Sequence, residues 1–212
     1  MPDNHNLLLP LFSPLAEMPP KRYRTIVADP PWDYKGHGLG QFSEKSAGGH
    51  YPCMKAEEIL RLPIGWWAEE EAHLYLWAPN SFVVWAHRIV EAWGFKPRTL
   101  ITWVKGRFEA GRLIQHIGLG YAFRNSTEHI VFATKGGLGV LSHDVPTAFV
   151  APRHAHSEKP DSFYDMVERV SPGPYLDVFA RKQRMGWDTF GDEAFNFGTP
   201  LPPGCFLGAR HG

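Results

Sequence analysis

Tyr23-Arg24-Thr25-Ile26-Val27-Ala28-Asp29-Pro30-Pro31-Trp32 is the stretch that decides how this chain reads. Its first six residues form a short, largely apolar and β-branched run, and Asp-Pro-Pro closes it. β-Branched side chains fit the pleat of a strand, and the residue before a proline is pushed towards extended backbone. The stretch predicts a buried strand that runs into a fixed loop. The same pattern recurs outward from it, at His73–Ala78, Thr99–Val104, His129–Thr134, Thr147–Ala151, Tyr175–Ala180 and Trp187–Phe190.

Helical patterns lie between these runs. Asn80 or Ser81 can cap a helix whose Phe82, Trp85, Ile89 and Trp93 share one face and which stops at Gly94. Pro160 opens another, with Phe163, Met166, Val167 and Val170 as its apolar stripe and Ser171-Pro172-Gly173 as its end. Strands alternating with helices imply an α/β fold, a mainly parallel sheet covered by helices. On this reading residues 1–22 are a flexible N-terminal arm, 23–195 form the domain, and 196–212 are a C-terminal tail rich in Gly and Pro.

Charge limits the partners. Across 212 residues, 22 Lys and Arg meet 22 Asp and Glu, a formal net charge of +0. A protein held to nucleic acid by general phosphate contacts is usually basic overall, so any such contact here must come from a local patch or a partner. No stretch reaches the ~20 apolar residues that a membrane span needs. Leu7-Leu8-Leu9 has no basic lead-in and prolines around it, so the start does not read as a signal peptide. Cys53 and Cys205 lie far apart without metal-ligand spacing, which reads as two free thiols in a reducing cytoplasm. The 8 Trp are read mostly as core, with Trp32 and Trp103 expected at a functional face.

In open α/β sheets, ligands bind beyond the carboxyl ends of the strands, where Asp29-Pro30-Pro31-Trp32 falls. These residue types suit a planar aromatic amine such as that of adenine, whose lone pair is delocalised into its ring. A carboxylate and a backbone carbonyl can each accept one of its N–H bonds and hold the nitrogen towards tetrahedral geometry. The prolines fix the carbonyls, because φ is locked and no N–H competes. Trp32 offers a face on which a flipped base can stack. The barrier then falls by holding the amine in line with an electrophilic methyl group, with no metal and no prior proton removal by Asp29. Asp-Pro-Pro also occurs as a plain turn. The strand before it and the aromatic residues after it favour the functional reading.

The segment Val27-Ala28-Asp29-Pro30-Pro31-Trp32-Asp33-Tyr34 resembles the signature of the MT-A seventy family of adenine methyltransferases. Leu76-Trp77, Ile101-Thr102-Trp103-Val104-Lys105, Thr127-Glu128-His129 and Ser157-Glu158-Lys159-Pro160-Asp161 follow in that family's order. So do Met166-Val167-Glu168-Arg169, Leu176-Asp177-Val178-Phe179-Ala180-Arg181 and Gly186-Trp187-Asp188-Thr189-Phe190-Gly191-Asp192-Glu193.

The resemblance implies a Rossmann-like S-adenosylmethionine-dependent methyltransferase, permuted so that the catalytic tetrapeptide precedes the main cofactor-binding segment. It implies N6-methyladenine in nucleic acid as the product, with Asp29, Pro30, Pro31 and Trp32 as the catalytic group. Ala28, Asp29, Lys159, Asp177, Phe179, Arg181, Asp192 and Glu193 would face the cofactor, with Asp177 and Arg181 at its ribose. Trp32, Tyr51, Trp103 and Glu128 would face the incoming adenosine. Small relatives of bacterial or phage type, lacking extra domains, incline the substrate to DNA rather than RNA. Relatives often act as dimers, so a homodimer or a partner subunit is expected. Some members are non-catalytic scaffolds, but such a subunit is expected to lose residues that are present here, namely Asp29 to Trp32, Lys159, Asp177 and Arg181. Departures fall at Asp192-Glu193, where the family's mRNA enzymes carry Asn-Gln, at the shorter Arg181–Trp187 segment, and at the longer Gly36–His50 loop.

Other signals read as less specific. Gly36-His37-Gly38-Leu39-Gly40 opens no helix and reads as a flexible substrate loop. His143-Asp144 and His154-Ala155-His156 lack any metal-ligand frame, so no metal is expected, although Arg153, His154 and His156 could meet phosphate. Lys105, Arg107, Arg112, Arg124, Lys182 and Arg184 read equally as a nucleic-acid track or as solvated surface.

Overall fold

In the computed structural model, which describes residues 21–34, 53–118, 122–153 and 158–190, the opening stretch is strand β1 (Tyr23–Ala28). Its alternate side chains enter two different cores. Ile26 and Ala28 join one set of buried residues and Val27 joins another. Strand β2 (Ala68–Ala78) repeats this, with Leu74, Leu76 and Ala78 on one side and Tyr75 and Trp77 on the other. Side chains alternate between the faces of a strand, so a continuous apolar run demands cover on both.

Short helices supply that cover. Between β1 and β2, α1 (Ala56–Leu60) and α2 (Ile64–Trp67) place Ile59 and Ile64 on the first face. A 3-10 turn at Asn80–Phe82 leads into α3 (Val83–Ala92), which adds Phe82, Ala86, Ile89 and Val90 to the same side. The expected side-chain cap from Asn80 or Ser81 is not formed; Asn80 accepts a bond from the Thr127 hydroxyl at 3.3 Å instead. On the second face lies α4 (Asp161–Val170), entered at Pro160 and buried through Phe163 and Val167.

The remaining strands are β3 (Lys96–Glu109), β4 (Arg112–Gln115), β5 (Thr127–Lys135), β6 (Ala148–Ala151), β7 (Tyr175–Val178) and β8 (Trp187–Phe190). The sheet order is β4-β3-β5-β2-β1-β7-β8, with β6 beside β3. β1 is parallel to β2 and to β7, and β7 to β8, while β5 runs antiparallel between β2 and β3. The sheet is thus α/β as read, but mixed rather than mainly parallel. Two features escaped the sequence. β3 runs on past Val104 into an exposed hairpin with β4, turned by Ala110 and Gly111, whose φ angles of 49° and 76° suit a tight two-residue hairpin turn. β7 stops at Val178, because Phe179 turns into the left-handed region at φ 65°.

From β1 the chain moves to one side of the sheet to form β2, and from β7 it moves to the other to form β8. The border between β1 and β7 is therefore where strand order diverges, the place where open α/β sheets leave a crevice.

Behind the sheet lies a buried polar chain. The Leu138 carbonyl can only accept, so His73 Nε2 carries the proton it donates there (3.1 Å). Nδ1 then accepts from the Ser171 hydroxyl (2.8 Å), which accepts in turn from Tyr75 (2.7 Å). Burial lowers the His73 pKa, against a smaller opposing pull from the Leu138 carbonyl, and burial also lowers that of His129. The unfolded chain takes up these protons near an ordinary histidine pKa of about 6.5, whereas the folded chain resists them. Stability is accordingly full above that pH and falls as pH drops below it, towards the lowered folded values. Urea unfolding at about pH 7.5 and about pH 5.5 should show this loss, and His73→Gln should flatten part of it. A midpoint independent of pH over that interval would overturn the assignment.

Candidate active site

β1 and β7 end side by side, with Val27 opposite Asp177 and Ala28 opposite Val178. The Asp29 N–H donates to the Val178 carbonyl (3.3 Å), which ties the start of the Asp-Pro-Pro loop to β7. Lys159, just before α4, extends its ammonium between the two strand ends. It lies 3.6 Å from Asp29 Oδ2 and 3.4 Å from Asp177 Oδ1. The Tyr164 hydroxyl donates to the other Asp177 oxygen at 2.6 Å. The Lys159 and Asp177 side chains are only 5% and 3% exposed, whereas Asp29 keeps 31%. Burial works against the Lys159 charge, but the Asp177 and Asp29 carboxylates overcome it and hold the ammonium above the usual lysine range. Burial also pushes the Asp177 carboxyl up, opposed by Lys159 and Tyr164. Of the three charged side chains, Asp29 is the one that reaches solvent.

Beside it opens a cavity of about 230 Å³, lined by Asp29, Glu158, Lys159, Tyr164, Arg181 and Met185 among others. Ala28 is fully buried beneath the loop and Phe179 nearly so. The left-handed backbone at Phe179 is a conformation that a side chain with a Cβ adopts at a cost, and such strain tends to gather at functional sites.

The loop after Asp29 is held by its own backbone. The Pro30 carbonyl accepts from the Trp32 N–H (2.9 Å), the Pro31 carbonyl from the Met54 N–H (2.7 Å), and Asp33 N–H donates to the Met54 carbonyl (2.9 Å). Each carbonyl has a second lone pair. Trp32 does not stand open as a platform for a base. Its ring is buried, stacked on Phe82 with centroids 4.8 Å apart, and Nε1–H donates to the Trp77 carbonyl at 3.1 Å. Trp103 is also core, donating Nε1–H to the Ala151 carbonyl at 2.9 Å beneath Lys105. In both, an indole N–H that burial would orphan finds a carbonyl, and that fixes the ring inwards.

Glu128, near the start of β5, keeps its place towards the same end of the sheet and pairs with Lys105. Burial pushes its carboxyl up, Lys105 pulls it down, and the Asp29 charge raises it again. Burial and then the charges of Glu128 and Asp29 raise the Tyr34 phenol. Asp29, Tyr34, Glu128 and Lys105 therefore share one electrostatic neighbourhood. The sequence offered Lys105 only as part of a basic track and gave Tyr34 and Tyr164 no site role; no spacing rule links these three to Asp29.

The expected basic track divides. Lys182 pairs with Glu158 (3.3 Å). Arg184 is clamped by Asp161, Asp165 and Glu168 of α4 and lies over the Tyr164 ring (5.1 Å). Those acids sit one and two helical turns apart on one face, a pattern that was readable in the sequence. Lys105, Arg107 and Arg112 lie elsewhere, on β3 and β4. Tyr51, Asp192, Glu193, His154, His156, Cys205, the Gly36–His50 loop and both terminal segments lie outside the described residues, apart from Lys21 and Arg22 at the end of the N-terminal arm. Among the described residues no group of three or more His, Cys, Asp or Glu is arranged to hold a metal ion, and no helix is long and apolar enough to cross a membrane.

The family model named MT-A70 matches residues 23–193. The type II methyltransferase M.MunI of Mycoplasma sp is 27% identical over 202 residues, which cover 87% of this chain and 83% of that protein. The human N(6)-adenosine-methyltransferase catalytic subunit METTL3 is 26% identical over 176 residues, covering 81% of this chain but 28% of the longer protein. A putative N(6)-adenosine-methyltransferase MT-A70-like protein of Medicago truncatula is 26% identical, over 81% of this chain and 26% of its own length. The chain spans most of the first of these relatives and about a quarter of the other two.

Proposed function

This chain belongs to the MT-A70 family, a family of methyltransferases with a Rossmann-like fold, and from that premise we propose that it transfers the methyl group of S-adenosylmethionine to N6 of adenine in nucleic acid, with DNA preferred to RNA. The observation that carries this reading is Asp29, a partly exposed carboxylate on a proline-fixed loop, beside a cavity at the β1–β7 border.

The lining fits such a cofactor in its charges. A ligand that carries an ammonium, a sulfonium and a carboxylate needs acids and a base close together. Asp29 and Glu158 offer the acids, and Lys159 and Arg181 the bases. Those residues, with Asp177 beneath them, would hold it. When bound, it supplies an electrophilic methyl group on a positively charged sulfur.

The chain's own residues do the rest. The Asp29 carboxylate accepts one N–H of the adenine amine, and a loop carbonyl with a spare lone pair accepts the other. Both acceptors are fixed before substrate arrives, so little reorganisation is left to the reaction itself. Lys159 holds Asp29 in place, since it is tied to the inner carboxylate Asp177 as well. After methyl transfer the cationic N6 gives up its extra proton to solvent water, which restores the neutral amine. Trp32 serves by anchoring the loop from behind. Glu128 and Tyr34 border the substrate side. The preference for DNA rests on the likeness to the type II methyltransferase M.MunI, 83% of which is covered, against 28% of METTL3.

The test is methyl transfer from isotopically labelled S-adenosylmethionine to parallel DNA and RNA pools, followed by nucleoside analysis. N6-Methyladenine in the DNA pool is the expected result. Label in RNA alone would reverse the substrate preference. Cofactor binding without transfer to either pool would point to a missing partner, and no cofactor binding would end the enzymatic reading.

A further inference from the structure

We propose that the β3–β4 hairpin is a nucleic-acid docking ribbon, whose charged face runs outward from Glu128 and Lys105 and follows the phosphate backbone that carries the target base. The proposal rests on the methyltransferase reading above, and adds to it the surface that holds the polymer.

Directly opposed residues of an antiparallel pair share a face. The register sets Arg107 opposite Ile114, Glu109 opposite Arg112, and Phe108 opposite Leu113. Lys105, Arg107, Glu109, Arg112 and Ile114 therefore lie on one face, and Phe108 and Leu113 on the other. The charged face is continuous with the candidate site. Trp103 of β3 is opposite Glu128 of β5, and Lys105, two residues on, pairs with Glu128 and covers the Trp103 ring. His116, just past β4, donates its backbone N–H to the Lys105 carbonyl (2.7 Å) and accepts from Arg153 (3.4 Å), which brings a further cation to the same place.

The charges around this face are Lys105, Arg107, Arg112 and Arg153, against Glu109, which pairs with Arg107 at 2.6 Å in an exposed ion pair, and Glu128, which pairs with Lys105. Four cations against two carboxylates leave this face a local positive excess in a chain whose net charge is +0. Alternate residues on a strand stand about 6.6 Å apart, so Lys105 and Arg107 present separate contacts along one line. Guanidinium groups bind phosphate through paired N–H donors. The hairpin also carries bare rings and side chains: Phe108 is 64% exposed, Ile117 66% and nearby Phe123 88%. Exposed rings are what unpaired bases stack on, although Phe108 stands on the face of the ribbon opposite the arginines. The apolar Phe108 and Leu113 face alone would also suit a second copy of this chain, but the side continuous with Glu128 is the charged one.

The test measures binding directly, apart from methyl transfer. A fluorescent single-stranded DNA of about 20 nucleotides is titrated with the full chain between about 50 and 200 mM salt. The double variant Arg107→Ala/Arg112→Ala should bind at least about tenfold more weakly, and its plot of log affinity against log salt should be shallower by roughly 1.4, at ~0.7 for each phosphate no longer neutralised. Arg88→Ala, which removes a cation from α3, should leave both unchanged. The double variant Arg107→Lys/Arg112→Lys should retain most of the slope, since charge is kept. Unchanged affinity and slope in the Ala double variant would overturn the proposal. So would a dimer that falls apart in that variant with DNA binding intact, which would make the hairpin a contact between copies. If the wild type methylates nothing but binding still depends on the two arginines, the docking ribbon stands and the enzymatic reading fails. Methylation with binding indifferent to them gives the reverse.

Discussion

Asp29→Ala should abolish methyl transfer, with a loss on the order of 10³-fold or more, because on the proposed mechanism fixed acceptors aimed at the reacting centre do the largest part of the site's work. The fold should survive the change. Asp29 lies beyond the end of β1 and its side chain is partly exposed. Lys159 loses one carboxylate but keeps Asp177 at 3.4 Å, so no buried charge is left alone. Cofactor affinity should fall less than turnover, since Glu158, Lys159 and Arg181 remain around the cavity. The check is single-turnover transfer to the methylated polymer, beside calorimetric titration of the cofactor and a thermal melt. Near-normal turnover would sink the proposed role of the carboxylate. An unfolded variant would instead show that the Asp29–Lys159 pair is structural.

Trp32→Ala should cost about 3–5 kcal/mol of stability, the range for truncating a buried aromatic side chain. The ring leaves a space against Phe82, and the Trp77 carbonyl loses the indole donor that it holds at 3.1 Å. Urea unfolding measures the loss. Activity should fall with it, because Trp32 sets the loop that carries Asp29. A variant destabilised by less than about 1 kcal/mol, yet weakened in substrate binding, would return Trp32 to the role of base platform, where stacking is worth ~1–3 kcal/mol. Trp32→Phe separates these further: it keeps a ring for packing but removes the N–H donor.

These two residues illustrate how far sequence reading carries. Both stand in one tetrapeptide, and the sequence singled out both. For Asp29 the local argument was sufficient: an acid placed by prolines after a buried strand must come out at the strand's carboxyl end, because the strand's direction and the loop's rigidity leave little choice. For Trp32 it was not. Whether an indole faces a cleft or a core depends on Phe82 and Trp77, 50 and 45 residues further along, and no local pattern reports on them. Trp103 repeats the lesson through Ala151.

The sequence alone determined the α/β class, the position of most strands, the helix after Pro160 and the loop that carries Asp29. Those follow from short-range causes: period-two burial, β-branching, and the fixed φ of proline. Only the tertiary structure decided which groups meet. The antiparallel run of β5 places Glu128 beside Lys105, and the adjacency of β1 and β7 brings Lys159 between Asp29 and Asp177. The clamp of α4 removes Arg184 from the basic residues, while the β3–β4 register sorts the hairpin into a charged and an apolar face. Strand order, register and long-range ion pairs join residues far apart in the chain, and composition and periodicity carry no term for that distance.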